Sequence, residues 1–290
     1  MINLLRLTRP LYLLVAALTY FLGAAVSGYL GNRVNPVPLW LGLVAVLLLQ
    51  ATMFLLGEVF RSPADPILSD ETLAARRTLR STLLYTAIIN LAALALLGFA
   101  LFHSGNLSQL AVLFLFISLA AVMLYGVPPF RLVDRGFGEV VLAIQVAYVV
   151  PGIAYILQTG QYHRLLAIVV FPLTLLALAC LIALTFPTYA QDRKFNRGTM
   201  LVRIGWERAV PLHHVLILAA YLILLAAPFF GISLALLWPA FLTLPFALLQ
   251  IISLRSIAMG GRPIWAMLRV TAAAVFTLTA YFMTLTFWLR

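Results

Sequence analysis

Charged residues are scarce in this chain, and acidic ones are the scarcest. Only 9% of the 290 residues are charged and only eight are Asp or Glu, whereas 64% are hydrophobic. Such a composition is typical of an integral membrane protein, in which an ionisable group near membrane depth is costly. Each acidic residue is therefore a candidate for function. The eight are Glu58, Asp65, Asp70, Glu71, Asp134, Glu139, Asp192 and Glu207.

Cysteine is nearly absent as well. The one cysteine, Cys180, lies in an apolar run, which excludes an intrachain disulfide and argues against a cysteine-based metal cluster. The sequence also lacks a P-loop, a zinc-ligand pattern, a serine-hydrolase elbow and the alternating segments of a β-barrel. The net charge of +11 would suit nucleic acid, but charges that flank membrane spans explain it better. We therefore expect no nucleic-acid partner.

Long apolar runs predict an all-α integral membrane protein. Several runs exceed the roughly 20 residues that cross a bilayer. Turn signals such as Asn35-Pro36 and Gly260-Gly261 separate them. We assign residues 1–290 to one transmembrane domain. Its nine predicted spans are residues 11–30, 37–56, 81–102, 108–125, 138–157, 165–187, 210–230, 232–254 and 264–289.

Lysine and arginine are distributed unevenly between the two predicted membrane faces. Sixteen of the nineteen fall on the face that carries the N-terminus, and only Arg33, Arg164 and Arg290 fall on the other. Positive charge accumulates in cytoplasmic loops. The pattern therefore predicts a multi-pass protein of the cell inner membrane, surrounded by lipid, with its N-terminus inside and its C-terminus outside.

Two long loops on the predicted cytoplasmic side, residues 57–80 and 188–209, hold six of the eight acidic residues. Carboxylates that converge from two helix ends can hold Mg²⁺ against a diphosphate, because Mg²⁺ takes oxygen ligands from carboxylates and phosphates. One interpretation is that Glu58, Asp65 and Asp192 face one cavity at this end. The alternative is that they are solvated loop carboxylates paired with neighbouring arginines.

Four segments resemble the UbiA superfamily of intramembrane prenyltransferases. They are LRLTRP at 5–10, LYGVPPFRL and RGFGE within 124–139, YILQTG at 155–160, and FPTYAQDRKFNRGTMLVRIG at 186–205. The third is similar to the branch that prenylates 1,4-dihydroxy-2-naphthoate in menaquinone biosynthesis. The resemblance covers nearly the whole chain and implies a helical bundle around a lipid-accessible cavity.

The resemblance implies transfer of a polyprenyl group from its diphosphate to an aromatic, quinone-precursor-like acceptor within the membrane, with Mg²⁺ as cofactor. Glu58, Asp65 and Asp192 would be the catalytic, metal-binding carboxylates. Basic residues on the same face would bind the diphosphate. They are Arg61, Arg77, Arg131, Arg193, Lys194 and Arg197.

Several candidates also have structural explanations, and the basic residues are typical of positive-inside topology charges. Tyr125 and Tyr189 suit a membrane interface, and Gln145 suits a helix–helix hydrogen bond. The alternative is that these three contact the acceptor or the prenyl chain. For Glu139, close to membrane depth, we expect a salt bridge to Arg135 one turn earlier.

The acidic motifs depart from the family pattern. The four positions of its Asn-Asp-x-x-Asp-x-x-x-Asp motif here hold Gly57, Glu58, Arg61 and Asp65. The two positions of Asp-x-x-x-Asp hold Thr188 and Asp192. Arg61 would either repel Mg²⁺ or replace one metal ion as a diphosphate clamp. This erosion supports a second hypothesis, a non-catalytic relative that binds a quinone, isoprenoid or pigment tail as a subunit of a larger membrane complex.

Overall fold

The computed structural model describes residues 7–62, 65–67 and 72–290, so Asp70 and Glu71 lie outside the described residues. Within the described part, all regular structure is helical, and nine helices are long and apolar enough to cross a membrane. This confirms the predicted all-α, nine-span class. The helices are α1 (Pro10–Tyr29), α2 (Pro36–Val59), α3 (Leu73–His103), α4 (Gln109–Gly126), α5 (Gly138–Thr159), α6 (Arg164–Lys194), α7 (Trp206–Phe230), α8 (Leu234–Ala258) and α9 (Trp265–Leu289).

Capping side chains mark where helices begin. The side chain of Asn35 accepts a hydrogen bond from the Val37 amide at 3.0 Å, and the Thr72 hydroxyl accepts one from the Ala75 amide at 3.2 Å. Each cap satisfies an N–H that has no partner within the helix. The cap at Thr72 explains why α3 begins at Leu73 rather than at the predicted residue 81. The apolar run marks only the part of this helix that faces the membrane interior.

The sixth helix also extends beyond its apolar run. Its α-helix ends at Thr185, a 3₁₀ turn covers Phe186–Thr188, and a further helical turn covers Tyr189–Lys194. The sequence predicts a span that ends at residue 187. Instead, the 3₁₀ turn absorbs Pro187, which lacks an N–H and is tolerated in a first turn. Asp192 consequently lies on a helix end rather than in a free loop.

The helices differ widely in how much of their surface the protein covers. In α5, 78% of the most apolar window is buried, whereas in α3 only 11% is buried. Helix α5 packs against α1, and α1 packs in turn against α9. A π turn at Gln145–Val149 interrupts α5 just before Pro151, where proline removes a helical donor. Helix α5 therefore forms the centre of the bundle, and α3 lies at its periphery.

Candidate active site

A polar cavity of about 280 Å³ lies at the end of the bundle where α2, α4 and α6 end and where α1 and α5 begin. The chain turns that follow α2, α4 and α6 form its rim. This is the membrane face that the charge pattern predicts to be cytoplasmic. The charged residues that line the cavity are Arg9, Arg61, Arg131, Arg197, Glu58, Asp65, Asp134, Glu139 and Asp192.

Two glycines let the backbones around the cavity approach closely. A Cβ atom at Gly126 would lie 2.7 Å from the amide nitrogen of Gly57. The end of α4 therefore fits against the end of α2 only if position 126 has no side chain. A Cβ atom at Gly198 would lie 1.8 Å from the carbonyl oxygen of Asp134. The turn after α6 therefore fits against the turn after α4 only if position 198 has no side chain.

Arg61 lies between two buried carboxylates at the end of α2. Its guanidinium is 3.1 Å from Oε2 of Glu58 and 3.2 Å from Oδ2 of Asp65. Burial lowers the pKa of Arg61, because desolvation disfavours the cation more than the nearby Glu58 favours it. Arg61 thus faces the carboxylates of the cavity rather than bulk water.

Arg197 joins the two acidic loops. Its Nε and Nη2 donate to the two carboxylate oxygens of Asp65 at 2.7 and 2.8 Å, and its Nη1 donates to Oδ1 of Asp192 at 3.2 Å. The Thr188 hydroxyl donates to the other oxygen of Asp192 at 2.8 Å. The hydrogen bond to Asp65 raises the pKa of Arg197, so this side chain stays a cation. With Glu58 also in the lining, the three carboxylates meet at one cavity, as expected.

Arg9 belongs to the same cavity, although its sequence context points only to a topology charge. Its guanidinium lies over the Phe54 ring, 5.1 Å from the centroid, and its Nη2 donates to Oε1 of Glu58 at 3.4 Å. Desolvation acts to lower the pKa of Arg9, but Tyr125, Glu58 and Tyr12 together outweigh it, so the net shift is upward. A position directly before an apolar helix gives no hint of these contacts, because positive charges are common there.

Glu139 differs from the other carboxylates of the cavity. The expected salt bridge to Arg135 is wrong, because Arg135 donates instead to the carbonyl oxygen of Pro129 at 2.6 Å. Oε1 of Glu139 accepts from the Met200 amide at 3.1 Å, while Oε2 is buried with no hydrogen-bond partner among the described residues. The side chain is only 8% exposed. A buried carboxylate oxygen without a partner is unusual and calls for an explanation.

Two further sequence candidates, Arg131 and Tyr125, also line the cavity. Arg131 forms an ion pair with Asp134, and its Nη1 donates to the carbonyl oxygen of Gly126 at 3.4 Å. Tyr125 packs edge-to-face on Phe54, with ring centroids 6.5 Å apart. The last turn of α4 therefore contributes an aromatic wall, and the chain turn that follows it contributes a cation.

Five sequence candidates lie outside the cavity lining. Gln145 is fully buried and donates to the Ser118 hydroxyl at 2.6 Å, which joins α5 to α4. Tyr189 packs on Trp206 with ring centroids 5.9 Å apart. These two contacts fit the structural explanation of each residue. The other three candidates are exposed on the charged face of the bundle and are Arg77, Arg193 and Lys194.

An apolar pocket of about 310 Å³ adjoins the polar cavity between α1, α5, α6 and α9. Four residues line both spaces: Tyr12, Leu142, Leu181 and Leu184. The surface that the pocket exposes is entirely apolar, and burial of hydrocarbon there is favourable at about 25 cal/mol per Å². Together the two spaces suit an amphiphile with an anionic head and an apolar tail.

The carboxylates of the cavity do not fit a metal ion as they are arranged. Within the described part of the chain, no group of three His, Cys, Asp or Glu side chains could hold one. Asp65 directs both carboxylate oxygens at Arg197, and Arg61 lies 3.2 Å from one of them. Mg²⁺ requires oxygen ligands at roughly 2.0–2.1 Å in near-octahedral geometry. Guanidinium groups occupy the space beside Glu58, Asp65 and Asp192 and neutralise the negative charge that would attract this ion.

These features place the protein in a class, that of multi-pass helical membrane proteins with an arginine-lined cavity beside an apolar pocket. The chain belongs to the UbiA prenyltransferase family, whose model matches residues 74–269, more than half of the sequence. Membership of the family, which the sequence resemblance implied, is thereby confirmed, whereas the menaquinone branch stays a prediction. No curated protein matches the sequence.

The fold is similar to that of a UbiA homologue from Archaeoglobus fulgidus. Its structure bound to GPP and Mg²⁺ has a TM-score of 0.67 at 17% identity, and the match covers 97% of this chain and 99% of that chain. Its structure bound to DMAPP and Mg²⁺ gives 0.63 at 18% identity, with 97% and 99% covered. A third, bound to Cd²⁺, gives 0.60 at 16% identity, with 98% of each chain covered. At such identities, the likeness shows the fold alone.

Proposed function

We propose that this protein transfers a polyprenyl group from its diphosphate to an aromatic, quinone-precursor-like acceptor within the membrane. The observation that carries the proposal is the adjacency of an arginine-lined cavity and an apolar pocket that share four lining residues. A polyprenyl diphosphate has this division into an anionic head and an apolar tail. The homologue structures with GPP and DMAPP support the same ligand class. The YILQTG segment supports an acceptor of the dihydroxynaphthoate type.

The cavity residues have distinct roles in this reaction. Arg61 and Arg197 bind the diphosphate and stabilise the negative charge that it gains when the allylic C–O bond breaks. Glu139 accepts the hydroxyl proton of the acceptor, because it has no guanidinium partner among the described residues. The acceptor ring then forms a C–C bond to the allylic carbon and regains aromaticity by losing a proton or CO₂ from the attacked carbon. The electrons of the broken C–O bond leave with the diphosphate.

A second candidate is a non-catalytic binder of a quinone, isoprenoid or pigment tail within a larger membrane complex. One observation favours it, namely that Glu58, Asp65 and Asp192 are all engaged by arginines. A binder of this kind would use the apolar pocket and would have no use for a diphosphate. The two candidates therefore differ in what they require of the polar cavity.

Product analysis distinguishes the two candidates. Purified protein in lipid nanodiscs is incubated with geranyl diphosphate and 1,4-dihydroxy-2-naphthoate, and both the released diphosphate and the prenylated product are measured. We expect equal amounts of the two, and neither product from protein that carries Arg197→Ala. Diphosphate binding without any transfer to this or other phenolic acceptors would contradict the catalytic proposal.

The polar cavity is further proposed to face the cytoplasm from the inner membrane. The uneven distribution of Lys and Arg is the support for this orientation. Reporter fusions after Val133 and Arg262 should read as cytoplasmic, and fusions after Gly105 and Arg290 as external. A cytoplasmic C-terminus would contradict the orientation.

A further inference from the structure

The oxygens that a metal ion would need in the polar cavity are taken by guanidinium groups. Arg197 contacts both oxygens of Asp65 and one oxygen of Asp192, and a hydroxyl contacts the other oxygen of Asp192. Arg61 lies within 3.2 Å of Asp65 and within 3.1 Å of Glu58. Arg197 bridges two loops that lie 132 positions apart. A bridging metal ion would perform the same structural task.

Arginines balance the negative charges of Glu58, Asp65 and Asp192 without a metal ion. Arg9, Arg61 and Arg197 contribute three positive charges, and each lies in an ion pair with at least one of Glu58, Asp65 and Asp192. A dication at these carboxylates would lie close to two guanidinium groups in a partly desolvated space, where repulsion between like charges is weakly screened. Binding of a metal would therefore require that Arg61 and Arg197 leave.

The guanidinium groups remain suited to an anionic ligand while they hold the carboxylates. Arg197 directs three of its five N–H donors at Asp65 and Asp192, which leaves donors for phosphate oxygens. Guanidinium matches phosphate in a bidentate geometry. The side chains of Arg61 and Arg197 are 17% and 26% exposed, so a ligand in the cavity can reach both.

We propose that Arg61 and Arg197 take the place of the divalent metal, so that this protein binds a prenyl diphosphate directly and without a divalent cation. The inference rests on the proposed function, since it specifies how that function's ligand is held. It departs from the homologue structures, in which Mg²⁺ accompanies GPP or DMAPP. The carboxylates act here as positioning residues that hold the two arginines at the cavity.

The test compares the binding of geranyl diphosphate and of geraniol to the wild-type protein in nanodiscs by isothermal titration calorimetry. Each ligand is titrated in excess EDTA and in millimolar Mg²⁺. We expect geranyl diphosphate to bind at least tenfold more tightly than geraniol in EDTA, with less than a twofold change on addition of Mg²⁺. Because this comparison uses only the wild-type protein, its result does not depend on whether a variant folds.

Two different results would overturn the inference. Loss of geranyl diphosphate binding in EDTA, with recovery in Mg²⁺, would show that a metal is needed while leaving the proposed function intact. Equal affinity for geranyl diphosphate and geraniol in both conditions would contradict the inference and the proposed function together.

Variants then identify the groups responsible. Arg61→Ala should weaken geranyl diphosphate binding in EDTA by a factor of roughly ten to one hundred and leave geraniol binding unchanged. Arg262→Ala is the matched control, because Arg262 is exposed on the same membrane face and lies outside the cavity lining. Arg61→Asp, which adds a carboxylate, should make binding depend on Mg²⁺. Equal effects of Arg61→Ala and Arg262→Ala would contradict the assigned role of Arg61.

Discussion

The polar cavity and the apolar pocket share four lining residues, but different interactions govern the two spaces. In the polar cavity, buried ion pairs are stable only while both partners are present, since a single buried charge is costly. In the apolar pocket, the gain on binding grows gradually with the area removed from water. Removal of one charge from the cavity should therefore have a larger effect than one substitution in the pocket.

The largest effect is expected from Arg197→Ala. This change leaves Asp65, which is 1% exposed, without its bidentate partner and also removes one partner of Asp192. Loss of one member of a buried pair costs about 3–5 kcal/mol of stability. Thermal unfolding in detergent should show a large decrease in the melting temperature of Arg197→Ala. The melting temperature of Arg193→Ala, a change at an exposed arginine of the same face, should differ little from that of the wild type.

The double variant Asp65→Ala with Arg197→Ala makes this prediction sharper. It removes the carboxylate that Arg197→Ala leaves with Arg61 as its remaining partner, so stability should recover in part relative to Arg197→Ala alone. If Arg197→Ala were no more destabilising than Arg193→Ala, the ion pair would have no structural importance, and the contrast between the two spaces would fail.

The next largest effect is expected from Glu139→Gln, which tests the one cavity carboxylate without an ion-pair partner among the described residues. The amide oxygen of Gln can still accept the hydrogen bond from Met200, so folding should be unchanged. The amide cannot accept a proton, and general base catalysis typically contributes at least about 100-fold. We expect the transfer rate to fall by that factor while the affinity for geranyl diphosphate stays the same. Equal losses of rate and affinity would instead indicate a binding role.

A smaller effect is expected in the apolar pocket from Ala273→Leu, because Ala273 lines the pocket and is partly exposed to it. A displaced tail segment passes into lipid rather than water, so the loss comes from lost packing contacts and should be smaller than the roughly fifteenfold that transfer of two CH₂ groups into water would give. Geranylgeranyl diphosphate should lose affinity and dimethylallyl diphosphate should not. The control is Ala274→Leu, the next residue of α9, which is outside the pocket lining. Equal losses for both ligands would place the tail elsewhere.

The fold could be predicted from sequence because apolar length and turn residues decide it. The ends of helices were the weak point, as at Leu73 and Lys194, where polar residues continue a helix beyond the membrane interior. Hydropathy measures where a chain prefers lipid, whereas helix continuation depends on caps and local hydrogen bonds. The membrane orientation and the assignment of residues 1–290 to one domain stay predictions.

The candidate site could be predicted only in part. The meeting of Glu58, Asp65 and Asp192 followed from matched loops, and their pairing with neighbouring arginines was the stated alternative. The contacts of Arg9 with Glu58 and of Arg197 with Asp65 did not follow from the sequence. A sequence shows which charges are near each other along the chain, whereas Arg197 meets Asp65 across 132 positions. Arginines at the ends of spans also have a sufficient explanation in topology, which conceals those that turn inward. The assigned chemical roles of these residues stay predictions.

The smallest effect is expected from Arg61→Lys, which separates charge from geometry in the polar cavity. Lysine keeps the positive charge but replaces the planar guanidinium fork with a compact ammonium group. Loss of about one hydrogen bond, near 1 kcal/mol, should weaken geranyl diphosphate binding in EDTA roughly fivefold. Geraniol binding should not change, because the alcohol carries no phosphate. Unchanged affinity for geranyl diphosphate would mean that Arg61 acts as a simple charge rather than as a fork, and the cavity would then differ from the pocket in charge alone.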